Sequence, residues 1–348
     1  MSDELISELD RPDVLTKYQD AGKIATRVMK NLVGRVIQGA KLYDLCCFGD
    51  KNIKDEVGKV YHKITDKGIA FPTCITKNNM VGYYAPKCDE GIMIEEGDLI
   101  KIELGVQIDQ YPALLAYTII VSTNNQQVTD KQAKVLRAVI ACSKKIRSMM
   151  KPHTKNTDIV NEIQKCARKY DCSLLYTSDI DIKTPGIVSY QMSRGVINGH
   201  NDNCSDIHQL IIPRHNPEYN YKMAEVEFDE NEVYAIDICM SSGTGKITQI
   251  EEQPSIYQRT DIRKELKLRI ARETLNNFSS IFPMNIRDID KKNYGLSTCI
   301  DEKVLEAYPI QSEKEGEYVG QIKFTVIVKD KPLLIAGLSS EEQEKKLA

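Results

Sequence analysis

The sequence contains no apolar run as long as the roughly 18 residues that a membrane-spanning helix requires. Its first residues, MSDELISELD, are acidic and include no apolar signal region, so we expect no secretion. None of the ten cysteines belongs to a Cys-x-x-Cys pair, and the vicinal Cys46 and Cys47 favour free thiols in a reducing compartment. These absences predict a protein of the cytoplasm, with the nucleus as a second compartment, and no membrane partner.

An excess of positive charge is also absent, since the formal net charge is -3 at pH 7. Proteins that coat nucleic acid with their whole surface are usually basic. Any contact with nucleic acid is therefore expected to be local. The 348 residues, of which 41% are apolar, are otherwise typical of a soluble α/β protein with a large core.

Hydrophobic periodicity predicts two similar groups of elements along the chain. Helical spacing is found at residues 14–33, 42–62, 130–150 and 156–170. Alternating or β-branched runs predict strands at residues 99–106, 115–122, 233–240 and 320–328. The order helix, helix, strand, strand thus occurs twice, which indicates an α/β sandwich with pseudo-twofold symmetry and a site between its halves.

The same pattern suggests the domain boundaries. The two halves are predicted at about residues 14–125 and 126–335, after a flexible tail of residues 1–13. Residues 253–310 interrupt the second half with helices of their own and are predicted to form an inserted helical subdomain. Residues 338–348 form a short polar tail.

Five segments carry a resemblance to a known family: TKYQDAGKIATRVMKNL, KGIAFPTCITKNNMVGYYAP, EGDLIKIELGVQID, ENEVYAIDICMSSGTGK and EKEGEYVGQIKFTVIV. They resemble the "pita-bread" fold of type 2 methionine aminopeptidases, and more closely its non-peptidase branch, the proliferation-associated, ErbB-receptor-binding proteins. The resemblance covers about residues 14–335 and includes the insertion at 253–310. It implies a pita-bread sandwich of antiparallel sheet and helices.

The active relatives hold two metal ions with two Asp, one His and two Glu residues, bridged by an activated water. Carried over motif by motif, these positions fall on Glu103, Leu114, Tyr190, Asp237 and Lys323. A leucine cannot bind a metal, and Lys323 brings an ammonium group to a cation site. We expect Lys323 to neutralise Glu103 and Asp237, which would otherwise be buried without a partner. The resemblance therefore implies no catalytic residue, no metal and no other cofactor.

Two positions of the substrate site are carried over in the same way, Tyr83 and Asn198. The stretch NGHNDNCSDIH leaves three interpretations open. It could supply a metal ligand and a catalytic partner, His200 and His208, if it is aligned with the peptidases. The preferred alignment with the non-peptidase branch instead gives Tyr190 and Asn198. An extended strand could also gather a metal set there, although Asn, Asp and Ser favour a polar loop.

The non-peptidase branch implies binding to the large ribosomal subunit, through ribosomal RNA and the ribosomal proteins near the exit of the nascent-peptide tunnel. One segment, RTDIRKELKLRIAR at 259–272, supports an RNA contact. We predict a helix whose apolar side is Ile262, Leu266 and Ile270. Its basic residues would track phosphates: Arg259, Arg263, Lys264, Lys267, Arg269 and Arg272.

Three alternatives remain. The basic run could be a solvated surface, the protein could be a metal-dependent aminopeptidase, or the vestigial pocket could bind a peptide as an adaptor. Secondary basic candidates occur on the first predicted helix and on the helix at 130–150. They are Lys17, Lys23, Arg27, Lys30, Lys144, Lys145 and Arg147.

Overall fold

A computed structural model describes residues 8–121, 129–177, 188–197, 210–211, 224–289 and 295–339 of the chain. The predictions for Asn198, His200 and His208 lie outside these residues. Most of the N-terminal and C-terminal tails also lies outside them.

Six α-helices occur in this part of the chain. They are α1 (Pro12–Val33), α2 (Leu42–Gly58), α3 (Asp130–Met149), α4 (Asn156–Lys169), α5 (Arg269–Asn277) and α6 (Leu296–Asp301), with short 3-10 helices at Glu8–Asp10 and Ile286–Asp288. The four predicted helices are confirmed, with ends that differ by a few residues. Pro12 occupies the first turn of α1, where its missing N–H costs nothing. Thr129 and Gln132 form a capping box at the start of α3.

Sixteen strands are described. They are β1 (Lys67–Lys77), β2 (Met80–Gly82), β3 (Leu99–Ile108), β4 (Tyr111–Ile120), β5 (Ser173–Leu174), β6 (Tyr176–Thr177), β7 (Ser189–Met192), β8 (Leu210–Ile211), β9 (Val233–Ser241), β10 (Lys246–Gln249), β11 (Ile256–Arg259), β12 (Met284–Asn285), β13 (Leu305–Ala307), β14 (Gln311–Ser312), β15 (Val319–Ile327) and β16 (Leu333–Ala336). The four strands predicted from the sequence correspond to β3, β4, β9 and β15 and are confirmed. A two-residue turn joins β3 to β4, with positive φ at both Asp109 and Gln110, as tight hairpins require.

The main sheet has nine strands in the order β1-β3-β4-β15-β9-β7-β8, with β16 beside β15 and β5 beside β9. Helices α1, α2 and α3 pack on this sheet, and they contribute to two separate apolar cores. On β15, Ile322 and Phe324 belong to the core beneath α3. Because side chains alternate along a strand, Lys323 points to the opposite face. The sheet therefore has one face covered by helices and one that carries polar groups.

The insert contains α5 and α6 and also a three-stranded sheet in the order β12-β11-β13. Tyr257, Leu266, Phe278 and Leu305 form its small core. Buried polar contacts hold it to the first half of the chain. Arg287 pairs with Asp50 at 5% and 4% side-chain exposure, and its Nη1 donates to the Pro86 carbonyl at 3.1 Å.

The prediction of one helix over residues 259–272 is wrong. Strand β11 ends at Arg259, the chain is irregular up to residue 268, and α5 begins at Arg269. Of the predicted apolar stripe only Leu266 is buried, at 3% exposure, whereas Ile262 and Ile270 are 43% and 41% exposed. Pairing of β11 with β13 and a bond from the Thr260 N–H to the Val304 carbonyl hold the start of this segment in an extended conformation. Tertiary contacts thus override the local helical spacing.

Candidate functional site

The polar face of the main sheet carries one row of side chains across four strands. Glu103 of β3 lies opposite Ala116 of β4, Ala116 opposite Lys323 of β15, and Lys323 opposite Asp237 of β9. Residues opposite one another in neighbouring strands share a face of the sheet. The register therefore brings together three charged residues that are far apart in sequence.

Lys323 bridges two carboxylates. Its Nζ lies 2.8 Å from Asp237 Oδ2 and also bonds Glu103 Oε1. Gln321 Nε2 donates to both carboxylate oxygens of Asp237, at 3.0 and 3.1 Å. Glu103, Asp237 and Lys323 are 4%, 3% and 6% exposed. The contacts expected of Lys323 are thus present, and they form a buried three-residue charge cluster.

The cluster has two negative charges and one positive charge, and this imbalance shifts the pKa values of Asp237 and Lys323. Burial and the charge of Glu103 raise the pKa of Asp237 to about 6, against the attraction of Lys323. Burial opposes the charged form of Lys323, but Asp237 and Glu103 together raise its pKa well above the ordinary value. The ammonium group is therefore retained at neutral pH, and Asp237 binds a proton at a higher pH than an ordinary aspartate does.

These residues do not fit a pair of metal ions. The Lys323 ammonium already lies between the two carboxylates. Leu114 is 4% exposed, and its side chain covers Gly105. Its N–H donates to the Thr325 hydroxyl and its carbonyl accepts from the same hydroxyl, both at 2.8 Å. Tyr190, on β7 opposite Ala235, has its pKa raised to about 12 by burial. Within the described residues no group of three or more His, Cys, Asp or Glu side chains could hold a metal ion.

An aromatic group lies beside the cluster and includes a residue that sequence reasoning missed. Tyr83 packs edge-on to Tyr308 of the insert, with ring centroids 5.1 Å apart, and Phe71 contacts both rings at 5.8 and 5.4 Å. The Tyr308 hydroxyl donates to Gln258 Oε1 at 2.5 Å. Burial raises the pKa of Tyr83 and of Tyr308 well above the ordinary value. No local signal marks Tyr308, because the two rings that it contacts, Phe71 and Tyr83, lie more than 200 residues away in the sequence.

The six basic residues predicted for RNA binding fall into two groups. Three of them have partners within the protein. Lys264 pairs with Glu302, Arg269 Nε lies 2.8 Å from Glu273 Oε1, and Arg272 Nη1 donates to the carbonyls of residues 266 and 267 at 2.5 and 3.0 Å. The other three are exposed and have no ion-pair partner among the described residues: Arg259, Arg263 and Lys267.

A cleft of about 1020 Å³ separates this part of the insert from the β3–β4 turn. Arg259, Arg263 and Lys264 line it, together with the carboxylates of Asp261, Glu265 and Glu306. Gln258 also lines the cleft, and its side chain accepts a hydrogen bond from Tyr308 of the aromatic group. Its walls carry both signs of charge.

Comparison with known proteins agrees with this geometry. The model of metallopeptidase family M24 matches residues 16–257. The ErbB-3 binding protein 1 of Solanum tuberosum is 34% identical over 331 residues, which cover 92% of this chain and 80% of that protein. The chain belongs to family M24, among the proliferation-associated and ErbB-3-binding proteins.

Two further similarities extend this assignment. Proliferation-associated protein A of Dictyostelium discoideum is 32% identical over 93% of this chain and 81% of its own length. The solved structure of a thermophilic Arx1 has a TM-score of 0.80 at 24% identity and covers 96% of this chain and 97% of that one. The family resemblance and the pita-bread fold predicted from the sequence are thereby confirmed. No described helix of this family member is long and apolar enough to cross a membrane.

Proposed function

We propose that this family member is a catalytically inactive, methionine-aminopeptidase-like protein that binds ribosomal RNA of the large ribosomal subunit near the tunnel exit. Its place of action would be the cytoplasm, with the nucleus as a second compartment. The observation that carries the loss of catalysis is the Lys323 bridge between Glu103 and Asp237. The RNA contact rests on the exposed cations of the insert.

The charge cluster argues against two-metal chemistry on physical grounds. A divalent ion would have to displace a buried ammonium that is held by both carboxylates. The side chain of Leu114 offers no oxygen to bind the ion in its place. Tyr83, at a position that the resemblance assigns to substrate binding, packs against Tyr308 and Phe71. Its ring is thus engaged by the protein itself.

Metal content and turnover test this part of the proposal. We expect purified protein that has been incubated with cobalt or manganese to retain no stoichiometric metal after gel filtration. We also expect no release of methionine from a Met-peptide. One or two equivalents of bound metal together with turnover would show an active aminopeptidase and would refute the proposed inactivity.

The insert suits a phosphate contact because it is anchored to the rest of the fold and carries exposed cations. Buried bonds anchor it: Asn285 Nδ2 donates to the Ala85 carbonyl at 2.8 Å, and Ser255 Oγ donates to the same carbonyl at 2.5 Å. Arg259, Arg263 and Lys267 are exposed on this anchored unit and have no ion-pair partner among the described residues. Arginine and lysine side chains free of such partners can neutralise phosphates and release counterions.

Sedimentation with ribosomes tests the RNA contact. The triple variant R259E/R263E/K267E should leave large subunits at physiological salt, whereas the wild type co-sediments and dissociates only at high salt. The matched control is K51E/K63E/K314E, which changes the net charge by the same amount at exposed lysines outside the insert. Equal co-sedimentation of the two variants would contradict docking through the insert.

A further inference from the structure

The outward face of α3 and α4 is strongly basic. Buried residues of α3, such as Val135 and Ile146, and of α4, such as Ile159, point toward the main sheet. The exposed side chains of both helices therefore point away from it. Seven of these exposed residues are basic: Lys131, Arg137, Lys144, Lys145, Lys165, Arg168 and Lys169.

This face contrasts with the rest of the chain. Helices α3 and α4 together contain nine Lys and Arg residues and three Asp and Glu residues, although the chain as a whole has a net charge of -3. The exposed acids of the two helices, Asp130 and Asp158, both lie in a first turn. Glu162 contributes only 18% of its side chain to the surface. The positive charge is thus concentrated rather than dispersed.

The two helices bring their cations together. Lys134 Nζ lies 2.7 Å from Asp171 Oδ2, just beyond the end of α4, so the first half of α3 lies beside the last turn of α4. Arg137 and Arg168 consequently lie at the same end of the helix pair. Neither of them, nor Lys145, has an ion pair or hydrogen bond from its side chain to any described residue.

The chemistry of this face selects its partner. The large hydrophobic side chains exposed in the described residues lie at positions 37, 92, 93, 262, 268, 270 and 281, all outside α3 and α4. Protein interfaces are anchored by buried aromatic and apolar residues, and helices that bind membrane surfaces insert an apolar face. A basic face without such residues fits the phosphate backbone of a nucleic acid.

The position of the face separates it from the insert. Val135 of α3 packs against Gly320 of β15, on the face of the sheet opposite Lys323. The insert instead packs on the Lys323 side, where Tyr308 meets Tyr83. The main sheet therefore lies between the two basic surfaces, and one straight RNA helix cannot reach both.

We propose that the outward face of α3 and α4 is a second RNA-binding surface, which holds the phosphate backbone of an RNA segment other than the one at the insert. The protein can then join two RNA segments that approach from opposite sides of the sheet. This surface is independent of the insert and does not require the proposed ribosomal function of the insert to be correct.

Binding of a fluorescent 30-base-pair RNA duplex to the full-length protein tests the proposal. The variant R137E/K145E/R168E should bind about tenfold more weakly at low salt, and the slope of log K against log salt should fall by about two. The control K51E/K63E/K314E, with the same change in net charge, should stay close to the wild type. Thermal unfolding measured by circular dichroism should show that both variants are folded.

A capture experiment separates this surface from the insert. Wild-type protein on an immobilised duplex should retain a second, differently labelled duplex, and both R137E/K145E/R168E and R259E/R263E/K267E should abolish that retention. Loss of duplex affinity in the α3–α4 variant alone would leave this proposal standing and overturn RNA binding by the insert. If R137E/K145E/R168E bound the duplex as tightly as the control does, the α3–α4 surface would be overturned as an RNA-binding surface. It would also be overturned if this variant lost binding to phosphatidylserine vesicles but kept its affinity for the duplex.

Discussion

Removing the ammonium group of Lys323 is the most informative perturbation of the charge cluster. In Lys323→Met the two carboxylates of Glu103 and Asp237 remain buried, and of the contacts to Asp237 described above only Gln321 is left. Removing one partner from a buried ion pair typically costs about 3–5 kcal/mol. We therefore expect the free energy of unfolding at pH 7 to fall by about 4 kcal/mol.

The pH dependence distinguishes lost charge from lost packing. The pKa of Asp237 rises from 3.8 in the unfolded chain to about 6 in the folded protein, so the folded state binds this proton more tightly. This proton therefore contributes its full stabilisation of the folded state below pH 3.8, and that contribution is lost as the pH rises through about 6. Without the ammonium group the pKa should rise further. The deficit of Lys323→Met should therefore be smaller at pH 5 than at pH 8.

Urea unfolding followed by circular dichroism at both pH values measures these differences. The matched control is the triple variant Glu103→Gln, Asp237→Asn and Lys323→Met, which removes all three charges and should recover most of the loss. A deficit below about 1 kcal/mol for Lys323→Met, or one that does not change with pH, would refute the charge-cluster argument.

Three further changes test other parts of the molecule. Burial lowers the pKa of Lys101 from 10.5 to about 7, so between these pH values the unfolded chain binds a proton that the folded protein does not. Lys101→Met should therefore raise the free energy of unfolding by about 2–4 kcal/mol at pH 7 and by little at pH 10. Urea titrations at both pH values would show this difference. Arg287→Met leaves the buried Asp50 without its ion-pair partner and should lower the free energy of unfolding by about 3 kcal/mol. Proteolysis of the insert should become faster, and adding Asp50→Asn should reverse part of both effects. Thr129→Ala removes the cap of α3 and should cost about 1 kcal/mol in thermal unfolding, whereas Thr129→Ser should be nearly neutral.

Several local features followed directly from the sequence. The first four helices and strands β3, β4, β9 and β15 were predictable because their apolar residues repeat with the period of a helix or of a buried strand. The charge change at Lys323 was also visible in one of the segments that carry the family resemblance, and the apolar residue at Leu114 was visible at a position carried over from the family.

Only the tertiary structure decided which residues meet. The register between β15 and β9 places Lys323 opposite Asp237, and β3 and β4 bring in Glu103. Pairing with β13 places Arg259, the first residue of the segment with helical spacing, at the end of β11. The cations at 263–267 then lie on an irregular stretch of chain. Periodicity records how each segment buries its own apolar side chains, but hydrogen bonds between distant strands determine register and partners. The sequence alone therefore determined which charges were present, and the sheet and the insert determined which of them were paired.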